Sequence, residues 1–255
     1  MTESDEEGDP TSVRVAIDDA AEHTACTPSR TDPGWFNHGA VLPYGCTLEH
    51  IRLTMEGFLD FLGFVNLELY KRSIVRFESL LAPANFSSVV GEYAVSTLPD
   101  FCLSLVKNRY HNGHPDTLPA GTFAGDAVKH ATEGVEIKAS RRNSGWQGHN
   151  AEQCWLMVFV FDSNRPADSK NGVAARPFTY KAAYLARLEE SDWKFSGRKE
   201  GSKRTITASV TGPGRKKLLA NWVYHFGGKY PGWKPPKPPK KVRPARSRRG
   251  KPPGS

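Results

Sequence analysis

No stretch of the 255-residue chain approaches 18 consecutive apolar residues, so no membrane-spanning helix is expected. A secretory leader is missing as well. Glu3, Asp5, Glu6, Glu7 and Asp9 stand where a signal peptide needs a basic start and an apolar core. The expected location is therefore the cytoplasm, with the nucleoid as the place of work if the partner is DNA. Only four cysteines are present (Cys26, Cys46, Cys102 and Cys154), scattered without the close pairing of a zinc or redox motif. They are expected to be free thiols in a reducing compartment. There is no phosphate-cradling Gly-Lys-Ser/Thr loop and no nucleophile elbow. His23, His38, His50 and His225 show no ligand spacing, and His111 with His114 would suit a metal pair but lack an evident third ligand, so they are read as structural. Collagen-like, coiled-coil and disulfide-scaffold compositions are excluded.

What is present is positive charge, unevenly placed. The chain carries 35 Lys+Arg against 27 Asp+Glu, a formal net charge of +8, with a pI near 9.3 and a mean hydropathy of −0.53. A polyanion is the first partner such a balance suggests. Residues 1–33 hold nine acids against Arg14 and Arg30, while residues 229–255 hold ten Lys or Arg and no acid. Both ends are poor in periodic apolar residues and read as disordered tails around one domain, 34–228.

Within that domain, apolar residues recur at helical spacing from Ile51 to Leu81, with Thr47 as the N-cap. Gly57 and Gly63 suggest two abutting helices in place of one, and a further helix is expected over 92–109. The texture then changes to strand-like segments. Residues 122–128 and 134–140 read as a hairpin; 155–161 (WLMVFVF) reads as a strand covered on both faces; 178–188 and 204–210 read as further strands. A closing helix is expected over 215–224. The fold class is α/β, or α+β, around a central mixed sheet flanked by helices.

The strongest chemical signal lies between Pro115 and Lys138. Glu136 and Lys138 stand two residues apart, on one face of the expected strand and about 7 Å along it. Asp126, on the paired strand, would bring a second carboxylate to the same end. Two carboxylates in reach of each other repel unless a cation sits between them, and Mg²⁺ is satisfied by one or two carboxylates, waters and substrate phosphate. A lysine beside that ion can serve the attacking water and stabilise charge on phosphorus. An acid-x-Lys triplet is common by chance, with about two expected at this composition. Three occur, and Asp168–Lys170 and Asp192–Lys194 lie in polar loops, whereas Glu136–Lys138 lies in an apolar-alternating strand.

The stretch Gly125-Asp-Ala-Val-Lys-His-Ala-Thr-Glu-Gly-Val-Glu-Ile-Lys-Ala-Ser140 resembles the active-site hairpin of the PD-(D/E)XK nuclease superfamily, closest to type II restriction endonucleases. The resemblance covers about 16 residues closely and the surrounding helix–strand–strand–strand order more loosely. It implies a restriction-endonuclease-like core and a Mg²⁺-dependent endonuclease acting on double-stranded DNA. Asp126 and Glu136 would hold the metal and Lys138 would serve the water. Pro115-Asp116 is a literal Pro-Asp, and the superfamily permits its separation from Glu136, so Asp116 stays open as the alternative first acid or a further ligand. Hairpin pairing favours Asp126.

The loop after the catalytic strand supplies the expected DNA contacts: Arg141 and Arg142 to phosphates, Gln147, His149 and Asn150 to base edges. Glu152 or Gln153 is a weaker candidate to support the metal. The Pro/Lys/Arg-rich tail would add salt-sensitive affinity for nucleic acid, or simply solubilise. Symmetric cutting implies a homodimer, and a restriction role implies a cognate DNA methyltransferase as genetic partner. The competing readings are a structure-specific repair or mobile-element nuclease of the same fold, and a DNA-binding protein without catalysis.

Overall fold

The protein is described by a computed structural model in which residues 19–148, 151–195 and 207–228 are placed. Helix α2 (Leu48–Tyr70) begins at the expected cap: the Thr47 side chain accepts from the His50 amide, and the His50 ring accepts from the Thr47 amide. It runs 23 residues without a break at Gly57 or Gly63. Both glycines are close-approach positions. A Cβ at Gly57 would lie 3.0 Å from the Tyr93 hydroxyl, and one at Gly63 would lie 3.2 Å from Pro28. The short α3 (Phe77–Leu80) follows, and then α4 (Pro83–Phe101), which starts nine residues before the expected helix and ends eight before its expected end. Pro83 opens α4, as its fixed φ and missing donor favour.

The central sheet has six strands in the order β1-β2-β3-β5-β6-β9. These are β1 (Leu105–Lys107), β2 (Thr117–Pro119), β3 (Val135–Ser140), β5 (Trp155–Asp162), β6 (Thr179–Arg187) and β9 (Trp222–His225). Only β3 and β5 are parallel; the other neighbours are antiparallel. Strand β5 is buried on both faces, as its unbroken apolar run predicts. Met157, Phe159 and Phe161 pack with Phe58, Phe86 and Phe178 beneath α2 and α4. Leu156, Val158 and Val160 face a second cluster with Trp146, Tyr184 and Leu218. That second side is closed by a small antiparallel sheet, β4 (Gln147–Gly148), β8 (Ala208–Val210) and β7 (Trp193–Phe195), and by α5 (Gly212–Ala220). The chain is thus a mixed α+β fold with a central mixed sheet, and among the described residues no helix is long and apolar enough to cross a membrane.

Several expectations are corrected. Residues 122–128 form no strand; Ala124–Asp126 is a tight turn with Gly125 and Asp126 both at positive φ. The partner of β3 is the three-residue β2. The expected helix over 215–224 is α5, shifted N-terminally, followed by the edge strand β9. Of the strand expected over 204–210, the last three residues are β8, and 204–206 lie outside the described residues.

Residues 19–33 of the expected disordered leader are placed with the domain. Helix α1 (Asp19–Ala25) belongs to the domain, and the Ser29 amide donates to the Phe178 carbonyl at 2.8 Å. Glu22 bonds Arg76 at 2.8 Å; Arg76 also reaches Glu78 at 2.6 Å and Asn164 at 2.8 Å. Residues 1–18 and the basic tail 229–255 lie outside the described residues. Arg76 and Glu78 are 2% and 0% exposed, so removing one strands a buried charge. Arg76→Ala is expected to lose about 3–5 kcal/mol in urea unfolding. Glu22→Gln, at the more open end of the network, is expected to lose about 1 kcal/mol or less.

Candidate active site

Strand β3 alternates as the sequence predicts. Val135 and Ile137 enter the helix-side core, while Glu136 and Lys138 share the opposite direction. Because β3 lies between β2 and β5, these side chains stand in the interior of the sheet and not at an edge. The Lys138 ammonium donates to Glu136 Oε1 at 2.8 Å and lies 3.2 Å from Glu152 Oε1. The second oxygen of Glu136 meets His114 Nδ1 at 2.9 Å.

Asp116 is the acid that the fold brings alongside. It immediately precedes β2, and its Oδ2 accepts from the Ile137 amide at 2.8 Å, between Glu136 and Lys138 along the chain. The close pairing of β2 with β3 depends on Gly134, where a Cβ would sit 2.2 Å from the Thr117 carbonyl and where φ is +134°. Asp116, Glu136 and Lys138 line a cavity of ≈ 390 Å³, with Ser87, Ser88 and Gln147 on its other walls. Asp126 does not line it. Its backbone carbonyl accepts from the Arg109 amide, and it sits in the left-handed turn in place of a strand. The expectation that Asp126 pairs with Glu136 fails because the strand that would carry it does not form.

Glu152, the weaker candidate, belongs to the site. One of its oxygens faces Lys138; the other is buried and has no hydrogen-bond partner among the described residues. A Cβ at Gly148 would stand 2.1 Å from its carboxylate, so that glycine makes room for it. His114 was visible in the sequence but lacked partners there; the fold supplies Glu136 and Glu152, whose ligand atoms lie within 4.8 Å of the His114 ring nitrogen and of each other. Gln153 instead donates to Glu190 at 3.3 Å.

Of the expected DNA contacts, Arg141 turns inward. It donates to the Ser163 carbonyl at 2.7 Å, and its guanidinium lies 5.4 Å and 5.1 Å from the ring centres of Phe86 and Phe161. Arg142 and Gln147 are exposed. With Arg141, Arg165 and Arg176 they line a second cavity of ≈ 720 Å³ that shares Ser87 and Gln147 with the first. His149 and Asn150 lie outside the described residues.

No protein-family model, no curated protein and no solved structure matches the chain. The site must therefore speak through its own chemistry.

That chemistry is one of carboxylates pushed apart. Burial, reinforced by the negative charge of Glu136, raises Asp116 to about 7, and burial likewise raises Glu152 to about 7 against the pull of Lys138. Burial opposes ionisation of Glu136 too, but the His114 hydrogen bond and the Lys138 charge hold it well below the usual range. Lys138 is raised because Glu136 and Glu152 outweigh its burial. A raised acid binds more protons in the folded state, so its stabilisation is complete below the unfolded value near 4 and is lost as pH climbs to about 7. Asp116 and Glu152 are therefore expected to contribute less stability to the metal-free protein at pH 7.5 than at pH 4. Asp116→Asn should unfold at a higher temperature than wild type at pH 7.5 without divalent cations, with the gap shrinking toward pH 4.

Proposed function

We propose that the protein is a Mg²⁺-dependent endonuclease hydrolysing phosphodiester bonds of double-stranded DNA, with a site of the PD-(D/E)XK type, working as a homodimeric type II restriction enzyme. The observation that carries this reading is the Asp116 carboxylate held by the Ile137 amide, beside the Glu136–Lys138 pair on the neighbouring strand. The Pro-Asp at 115–116 and the Glu-Ile-Lys at 136–138 thus meet across β2 and β3. The order of elements supports it further: helix α4, three antiparallel strands carrying both motifs, then a crossover to a parallel strand.

The donor set suits a hard divalent cation. Asp116 and Glu136 repel each other, Asp116 is held by a backbone amide while Lys138 and His114 each take one oxygen of Glu136, and among the described residues one buried oxygen of Glu152 has no hydrogen-bond partner. When bound, Mg²⁺ supplies a lowered pKa for water and a Lewis acid for phosphate oxygens. The chain's own groups do the remainder. Lys138 is anchored by two carboxylates, so its ammonium keeps a fixed direction toward the cavity and stabilises negative charge developing on the phosphate. His114 fixes the rotamer of Glu136. The Arg142 and Gln147 side of the second cavity offers the adjoining phosphates a positive surface. DNA binding would place the protein at the nucleoid, and a restriction role would require a methyltransferase to protect the host.

Plasmid and phage DNA incubated with full-length protein should give discrete fragments with Mg²⁺ and none with EDTA. Asp116→Asn, Glu136→Gln and Lys138→Ala are each expected to lower the rate by at least about 100-fold, while Asp126→Ala keeps it. Binding without cleavage would leave the non-catalytic reading, cleavage confined to branched DNA would favour a repair nuclease, and an inactive Asp126→Ala would undo the assignment of the first acid.

A further inference from the structure

Outside the carboxylate site, the fold assembles a second set of ligand side chains that the sequence keeps far apart. Cys46 lies in the turn before α2, His50 in its first turn, and Cys102 at the end of α4. Cys46 Sγ, Cys102 Sγ and a ring nitrogen of His50 lie within 4.8 Å of one another. Both thiols are free and buried, at 7% and 0% exposure, while His50 is partly exposed and opens the cluster to solvent.

We propose that Cys46, His50 and Cys102 form a binding site for a thiophilic divalent cation, zinc foremost, that ties the start of α2 to the end of α4. The donor set decides the class of ion. Two sulfurs and an imidazole select zinc over magnesium or calcium, which take oxygen ligands. Zinc bonds of about 2.3 Å to sulfur and 2.0–2.1 Å to nitrogen place tetrahedral ligands about 3.5–3.8 Å apart, so a contraction of at most about 1.3 Å closes the site. Three protein ligands leave the fourth position for water entering past His50. The Ser104 hydroxyl, 3.3 Å from Cys102 Sγ, donates to the Tyr44 carbonyl and is already committed. Ligation by either ring nitrogen leaves the proton on the other or claims the Nδ1 lone pair. In both cases the long 3.2 Å hydrogen bond from the Thr47 amide to Nδ1 is exchanged for the metal bond.

The site braces the region in front of β3. Tyr44, two residues before Cys46, accepts from the Gly134 amide at 2.9 Å and donates to Glu133 at 2.8 Å. A cation at Cys46 would thus stiffen the turn that holds the leading end of the strand carrying Glu136, without taking part in chemistry there.

Titrating reduced, metal-free, full-length protein with Co²⁺ tests this directly. One equivalent should produce a thiolate-to-cobalt charge-transfer band that zinc abolishes, and zinc should raise the melting temperature. The Cys46→Ala/Cys102→Ala double variant should lack the band and show no zinc-dependent shift. His50→Ala should weaken cobalt binding by at least about 10-fold. Glu136→Gln should keep the band, separating this site from the carboxylate cluster and from the nuclease reading. Because buried substitutions can impair folding, metal-free melting of each variant is recorded first, and a wild type without the band overturns the proposal whatever the variants do. The proposal is overturned if wild type shows no thiolate band, if the band persists in the double variant, or if the mass of protein isolated without reductant shows Cys46 and Cys102 joined as a disulfide.

Discussion

A carboxylate buried in the middle of a sheet must be compensated, and the compensation of Glu136 organises the site around it. Lys138 and His114 each take one of its oxygens, and Glu152 takes part of the lysine in turn. This arrangement keeps Glu136 ionised where an isolated charge could not persist. It also consumes the nearby positive charge. Asp116, held by the Ile137 amide, faces the negative field of Glu136, which Lys138 offsets only in part. In the proposed reading, that one frustrated carboxyl would draw a divalent ion, and its position follows from the pairing of β2 with β3 that Gly134 permits.

The fold supports this pairing from both sides. Helix α4 packs on β3, closely enough that a Cβ at Gly91 would meet the Ala139 amide at 3.8 Å. The crossover from β3 to the parallel β5 carries Arg142, Gln147, Gly148 and Glu152, so the loop that would meet substrate also returns a carboxylate to the lysine. Arg141 shows how position overrides charge. It follows β3 directly, yet it lies against Phe86 and Phe161 and ties the strand end to Ser163. The net +8 of the chain overstates the basic character near the site, because much of the surplus lies in the tail.

Glu136 and Lys138 were legible because a period-two alternation and apolar flanks are local signals. The buried strand β5 was legible for the same reason. Asp116 stands in the sequence only as the alternative to Asp126, since the strand that follows it is three residues long and sits in a turn-rich stretch, while Asp126 lies in a segment that alternates as a strand would. Gly121 and Gly125, both at positive φ, were the local warning against that strand. Asp19, Glu22 and the rest of the ordered leader were hidden because Glu22 is neutralised by Arg76, 54 residues away. Gly57 and Gly63 read as helix breakers until Tyr93 and Pro28 were seen to need the space. His50 and Cys102, 52 positions apart, have no spacing that a sequence could display. What failed in each case was a long-range contact that local pattern does not encode.

The central claim is that Asp116 and Glu136 together await a divalent cation. It is tested most directly by following the Asp116 carboxyl by ¹³C NMR through a pH titration, with and without Mg²⁺. Without the ion, Asp116 should titrate near 7; with saturating Mg²⁺, it should remain ionised down to the ordinary carboxylate range or below. An Asp116 titration unchanged by Mg²⁺ would contradict the account.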